Sequence, residues 1–131
     1  MINETVKALA QAPNYAMVAT IMPDGLIQNQ VLWVDADDEH ILINTELHRQ
    51  RTKNVEADPR MTVTIMQEGN WFTWAEVRGR VTEMVTGPEA REHIDKLALK
   101  YTGAPYANPI TSERVILKLT PERQNVFPPQ G

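Results

Sequence analysis

The run "ILINTELHRQRTKNVEADPRMTVTIMQ", residues 41–67, decides how the rest of the chain is read. It opens on a short apolar segment of strand character. A polar stretch follows in which Leu47, Arg51, Asn54 and Val55 recur at helical spacing, and Pro59 stops it, since the residue before a proline is disfavoured in helix. "MTVTIMQ" then alternates, with Met61, Val63 and Ile65 on one side. A helix is therefore expected between two strands. Its first turns crowd Arg49, Arg51 and Lys53 into five residues of a chain whose formal net charge is -4.

The flanking segments are predominantly strands. "YAMVATIM" has the apolar character of a buried strand, and the turn "PDG", Pro23 to Gly25, joins it to "LIQNQVLWV" as a hairpin. "DADDEH" reads as a solvated turn, so "ILINT" is expected to pair back on the preceding strand. Beyond the turn "EGN", the run "WFTWAEVRGRVTEMV" places Ala75, Val77, Gly79 and Val81 on one face. The other face carries Trp74, Glu76, Arg78 and Arg80. A short helix is expected over Glu4 to Gln11. A longer one begins at "TGPE", Thr86 to Glu89, with capping-box spacing, Pro88 just inside it and Ala90, Ile94, Leu97, Ala98 and Tyr101 on one face. "RVILKLTP" forms the last strand, before a short tail. Five strands in an antiparallel meander, with a sixth returning after the long helix, predict a mainly β barrel with peripheral helices, one domain over residues 1–131.

The residue inventory narrows the chemistry. The 131 residues include no cysteine, one serine (Ser112) and three histidines (His40, His48, His93). Thiolate chemistry and disulfides are excluded, Ser112 lacks a glycine elbow, and the histidines lack metal-ligand spacing, so no metal site is expected. The acidic balance disfavours a nucleic-acid partner, no apolar run is long enough to span a membrane, and the opening "MINETVKALAQAP" has no secretory pattern. A cytoplasmic location is expected. Demanding chemistry would then come from an organic cofactor. Asn44 and Thr45 lie where a strand gives way to a helix, a place suited to an anion, and Arg51 and Lys53 follow within two turns. A phosphate there competes with a plainer reading, a solvated basic helix face balanced by Glu46, Glu56 and Asp58.

"ILINTELHRQRTKNVEADPRMTV", preceded by "VATIMPDGLIQNQVLWV" and followed by "WAEVRGRVTEM", resembles the flavin/deazaflavin oxidoreductase superfamily, the split β-barrel, FMN-binding-like proteins related to pyridoxamine 5'-phosphate oxidase. Within it the chain is most similar to the small type that uses the deazaflavin coenzyme F-420. The similarity runs from about Leu9 to Phe127 and includes "HIDKLALKYTG" and the tyrosine-containing loop after it. It implies an oxidoreductase that binds F-420 and transfers hydride to a small organic acceptor. FMN is the alternative cofactor, and a non-catalytic cofactor-binding protein the alternative role.

The resemblance also implies residue roles. The ring would lie along Gln30, Val31, Leu32 and Trp33. The strand-end hydroxyl is Thr45, beside Asn44, and Arg51 stands where the family has a phosphate-binding lysine. Lys53 and Asn54 occupy neighbouring family positions, and Arg49 is free for further negative charge. Trp74 would reach the ring from a second subunit, so a homodimer is implied, with sites at its interface. No catalytic acid is evident. Trp33 and Trp74 also suit a core or an interface, and Arg78 and Arg80 suit pairing with Glu76 or Glu83. Two departures weigh against vitamin B6 oxidation: the C-terminal tryptophan-arginine motif is absent, and "QNQVLW" replaces the cations that flank the ring-binding strand.

Overall fold

The computed structural model describes residues 1–129. Its centre is one antiparallel sheet of seven strands that curls into a split β-barrel. The strands are β1 (Tyr15–Ile21), β2 (Ile27–Leu32), β3 (Asp35–Ala36), β4 (Ile41–Glu46), β5 (Arg60–Gln67), β6 (Asn70–Thr86) and β7 (Arg114–Phe127), and the helices are α1 (Glu4–Gln11), α2 (Gln50–Ala57) and α3 (Pro88–Thr102). In space the strands run β2-β1-β5-β6-β7-β4-β3. β2 and the β4–β3 pair are thus opposite margins of the sheet, and the split lies between them.

This order corrects the expected meander. β4 does not pair back on β2; it pairs with β7, Ile41 opposite Leu119 and Glu46 opposite Arg114. The "DADDEH" turn contributes a strand of its own, β3, opposite Leu42 and Ile41. β7 also runs past "RVILKLTP" to Phe127, because after its bulges it continues along the first half of β6, down to Trp74 opposite Phe127. The β1–β2 hairpin forms as expected, with Ala16 opposite Leu32 and Ile21 opposite Ile27.

Alternation decides which side chains fill the barrel. Ala16 and Val18, Ile41 and Ile43, Val63 and Ile65, Ala75 and Val77, and Leu117 and Leu119 point inward and exclude water, the main favourable term in folding. α1 is not merely peripheral, since Val6, Leu9 and Ala10 belong to the same interior cluster. Asn3 caps it, its side-chain oxygen accepting from the N–H groups of Thr5 and Val6. α3 packs Ala90 against Leu42 and Ile116 on the other side of β4. Its cap differs from the expected box: Thr86 ends β6, Gly87 is the cap residue at φ 80°, and no side chain caps the helix. No described helix is long and apolar enough to cross a membrane.

Candidate functional site

The strand-to-helix passage after β4 is longer than the sequence suggests. β4 ends at Glu46 and α2 begins at Gln50 with Arg49 as its cap residue, so Asn44 and Thr45 do not sit on the helix N-terminus. Three residues of turn re-aim the chain, which brings α2 across the split of the barrel. Arg51 closes that gap. Its Nη1 donates to Thr45 Oγ1 on β4 at 2.8 Å and its Nη2 to Gln30 Oε1 on β2 at 2.7 Å. One guanidinium thereby ties the two margins of the sheet, as its planar fork of donors allows.

Beside this bridge lies a cavity of about 340 Å³. One wall is apolar and aromatic: Val31, Leu32, Trp33, Tyr15 and Ile94. Trp33 stacks on Tyr101 at 5.0 Å with the rings 6° from parallel, and Tyr106 meets its edge at 6.3 Å. The opposite wall is cationic, with Arg49, Arg51 and Arg114 around Asn44 and Thr45. Burial, with Arg49 and Arg114 nearby, pulls the Arg51 pKa below its ordinary value. The Arg49 guanidinium has no ion-pair partner among the described residues.

Arg114 was not singled out in the sequence. It is 7% exposed, opposite Glu46 in the β4–β7 pairing, with Nη1 3.6 Å from Glu46 Oε2 and its guanidinium 5.1 Å from the Tyr106 ring centroid. Glu46 is likewise not part of a solvated helix face. It is 3% exposed, and its Oε1 accepts from the backbone N–H groups of Thr111 and Ser112 at 2.8 and 2.7 Å. Burial would raise its pKa, but these two N–H groups and the Arg114 charge hold it below the ordinary value. Glu46 thus pins one end of the loop 103–113, and Asp95, accepting from the Tyr106 N–H at 3.0 Å, holds the other part. The loop carries Tyr106 and Asn108 to the cavity.

Of the residues singled out in the sequence, Val31, Leu32, Trp33, Asn44, Thr45, Arg49 and Arg51 line this cavity, and Gln30 joins it through Arg51. Three lie elsewhere in the chain. Lys53 is exposed and borders a separate depression with Pro23, Gly25 and Arg60. Asn54 is 1% exposed and donates to Thr20 Oγ1 at 3.0 Å while accepting from Gln50 at 2.8 Å, which fastens α2 to the barrel. Trp74 stacks on Phe127 at 5.7 Å on the outer face of the sheet. Arg78 and Arg80 pair with Glu76 and Glu122, not with the cavity.

The arrangement suits a ligand with a planar apolar part and an anionic part. Three guanidiniums face one carboxylate, so the polar wall keeps uncompensated positive charge, and charge-assisted hydrogen bonds to phosphate or carboxylate would answer it. The donor set therefore fits the phosphate of a flavin or deazaflavin, and the opposite wall fits its ring.

Comparison with known proteins agrees with this architecture. The profile of the family described as pyridoxamine 5'-phosphate oxidase matches residues 2–126, and the chain belongs to that family. Among solved structures, an F-420 reductase is 28% identical, with a TM-score of 0.81 over 95% of this chain and 98% of the other. A conserved hypothetical protein from Mycobacterium tuberculosis is 23% identical, with a TM-score of 0.75 over 96% of this chain and 84% of that one. A putative pyridoxamine 5'-phosphate oxidase from Listeria innocua is 14% identical, with a TM-score of 0.66 over 91% of each chain. The last two likenesses speak for the fold alone. No curated protein matches at a significant level.

Proposed function

We propose, taking membership of the pyridoxamine 5'-phosphate oxidase family as the premise, that this chain is a single-domain, cytoplasmic oxidoreductase that holds the deazaflavin coenzyme F-420 in the cavity at the split of the barrel and serves a small organic acceptor. The observation that carries the reading is the wall of Arg49, Arg51 and Arg114 facing the apolar wall of Val31, Leu32 and Trp33. When bound and reduced, the deazaflavin supplies hydride. The chain's own part is to bind and orient: Arg49, Arg51 and Thr45 would take the phosphate, the apolar wall would lie against the ring, and the loop bearing Tyr106 and Asn108 would exclude water from the mouth. The F-420 reductase among similar structures supports F-420 over FMN. The same donors would accept the phosphate of FMN.

A homodimer belongs to the same reading. At the start of β6 Trp71 and Phe72 are 77% and 78% exposed, and Phe127 at the end of β7 is exposed as well. Large aromatics this exposed are expected to be covered by a copy of the chain about a two-fold axis, with Trp74, stacked on Phe127, inside that interface. The test is titration of the protein with F-420 and with FMN, followed by quenching of tryptophan fluorescence, then a search for acceptor-dependent reoxidation of the reduced cofactor. Tight binding of F-420 with turnover supports the proposal. Binding of FMN alone replaces the cofactor, and failure of both to bind refutes the reading.

A further inference from the structure

Behind the cavity a line of buried polar groups runs from β3 through α3 and β4 to β7. Asn44 sits in its middle. Its Nδ2 donates to Ala90 O at 3.0 Å and lies 3.0 Å from His93 Nδ1, while its Oδ1 accepts from Arg114 Nε at 2.9 Å. A backbone carbonyl only accepts and a guanidinium N–H only donates, so the carboxamide has one permitted orientation. His93 Nδ1 must then be the acceptor. The ring proton consequently sits on Nε2, which donates to Asp35 Oδ2 at 3.0 Å. The side chains of His93 and Asp35 are 9% and 7% exposed, so water offers little alternative. In the sequence His93 lacks metal-ligand spacing and Asp35 belongs to the solvated turn "DADDEH", so neither stands out.

We propose that His93 and Asp35 are positioning residues for the cavity: through Asn44 they fix the pose of the Arg114 guanidinium on its cationic wall. The order of action is set by donor polarity. Asp35 selects the Nε2–H tautomer, that tautomer leaves Nδ1 to accept from Asn44, and the oriented Asn44 oxygen holds Arg114 Nε. Glu46 and the Tyr106 ring hold the rest of the guanidinium. Other charged groups nearby do not replace the histidine. Lys96 lies 3.6 Å from Asp35 Oδ2 and is 74% exposed, and Lys100 donates to the Ala10 and Val34 carbonyls. That the wall receives an anion rests on the functional reading above; the hydrogen-bond order does not.

The test therefore has a ligand-free arm and a binding arm. In the free protein, nitrogen-15 spectra should show His93 as the neutral Nε2–H tautomer and a slowly exchanging Arg114 Nε–H signal. His93→Ala should abolish the slow exchange, and His93→Asn, whose side-chain oxygen can still accept from Asn44, should restore it. In the binding arm, with F-420 and FMN as probes, His93→Ala should weaken affinity roughly tenfold, the scale on which residues behind a site act. That loss should vanish in an Arg114→Ala background, because residues acting through one another are not additive. An Nδ1–H tautomer, or slow exchange that survives His93→Ala, overturns the proposal. So does a loss of affinity that is undiminished without Arg114. If neither cofactor binds the wild type, the functional reading fails while the ligand-free arm still decides this one.

Discussion

Arg51→Ala separates a cofactor site from a solvated basic helix face. In the free protein Arg51 is half-buried and makes two hydrogen bonds across the split, at 2.8 Å to Thr45 and 2.7 Å to Gln30. Hydrogen bonds from a charged donor contribute about 1.5–3 kcal/mol when sheltered and less when wet, and the Gln30 contact is exposed. Truncation also relieves repulsion from Arg49 and Arg114, which offsets part of that loss. The net destabilisation should be about 1 kcal/mol, a fall of roughly 3–6 °C in Tm for a domain of this size. The effect on binding should be larger. A charge-assisted contact to phosphate is worth about 1.5–3 kcal/mol, so affinity should fall roughly ten- to a hundredfold. Arg51→Lys should recover most of that affinity, since it keeps the charge, while losing the bridge, since an ammonium cannot span both Thr45 and Gln30 as the fork does. Raising the salt should weaken wild type more than the alanine variant, because screening acts on the interaction the variant lacks. Titrating the three proteins with F-420 and FMN at two ionic strengths, beside thermal unfolding, reads both effects. Equal affinities in all three at both salts would leave Arg51 as a strap across the barrel and refute its place in a phosphate site.

Gly79→Ala should destabilise by about 2–3 kcal/mol or more in denaturant unfolding, since an added Cβ would sit 2.0 Å from the Thr120 carbonyl oxygen at a bulge of the β6–β7 pairing; a variant of wild-type stability would contradict that backbone approach. Glu46 has a folded pKa below its ordinary value, so its contribution to stability is complete above the unfolded value of about 4.3 and is lost as pH falls through the lower folded one. Glu46→Gln should accordingly flatten the acid limb of a Tm-against-pH profile, and an unchanged limb would detach the carboxylate from the loop it pins. Sedimentation at micromolar concentration should give a dimer, with Trp74→Ala weakening it; a monomer that still binds cofactor tightly would refute the paired assembly.

The elements were legible in the sequence to the extent that each carries its own period or stop. The hairpin turn at Pro23 to Gly25, the stop at Pro59 and the apolar stripe of α3 are local signals, and all three elements form where they point. Strand order is not local. Nothing within "ILINT" itself names β2 or β7 as its partner, because the choice is made by closure of the whole sheet. β7 was read short for a related reason: Pro121 reads as a stop, yet it lies where the β6–β7 register shifts and the strand resumes beyond it.

The same distinction explains which parts of the site escaped the sequence reading. Arg49 and Arg51 stood out because they cluster in sequence, whereas Arg114 is alone before "VILKL" and becomes a site residue only once β7 is known to lie against β4. Glu46 seemed a counter-charge for the helix because it adjoins it. The turn at residues 47–49 separates the two, and Glu46 is buried under the loop that brings Tyr106 to the cavity. Lys53 shares a helix with Arg51 but lines a different depression, a consequence of two residues of helical rotation that charge counting ignores. The split is what makes these placements useful. A closed barrel would pair β2 with β4 and leave no room between them, whereas here Arg51 spans Gln30 and Thr45, and the space beside it is lined by Val31 and Leu32 of β2 on one margin and by Asn44 and Thr45 of β4 on the other. A ligand that takes Arg51 as an anion partner would therefore bear on the same bridge that holds the margins together. Binding and barrel stability should be coupled through that single side chain: ligand protection against thermal unfolding should shrink in Arg51→Ala by more than in Arg49→Ala, which has no bridge to lose, and equal shrinkage would mean that the anion meets the two guanidiniums as independent surface charges.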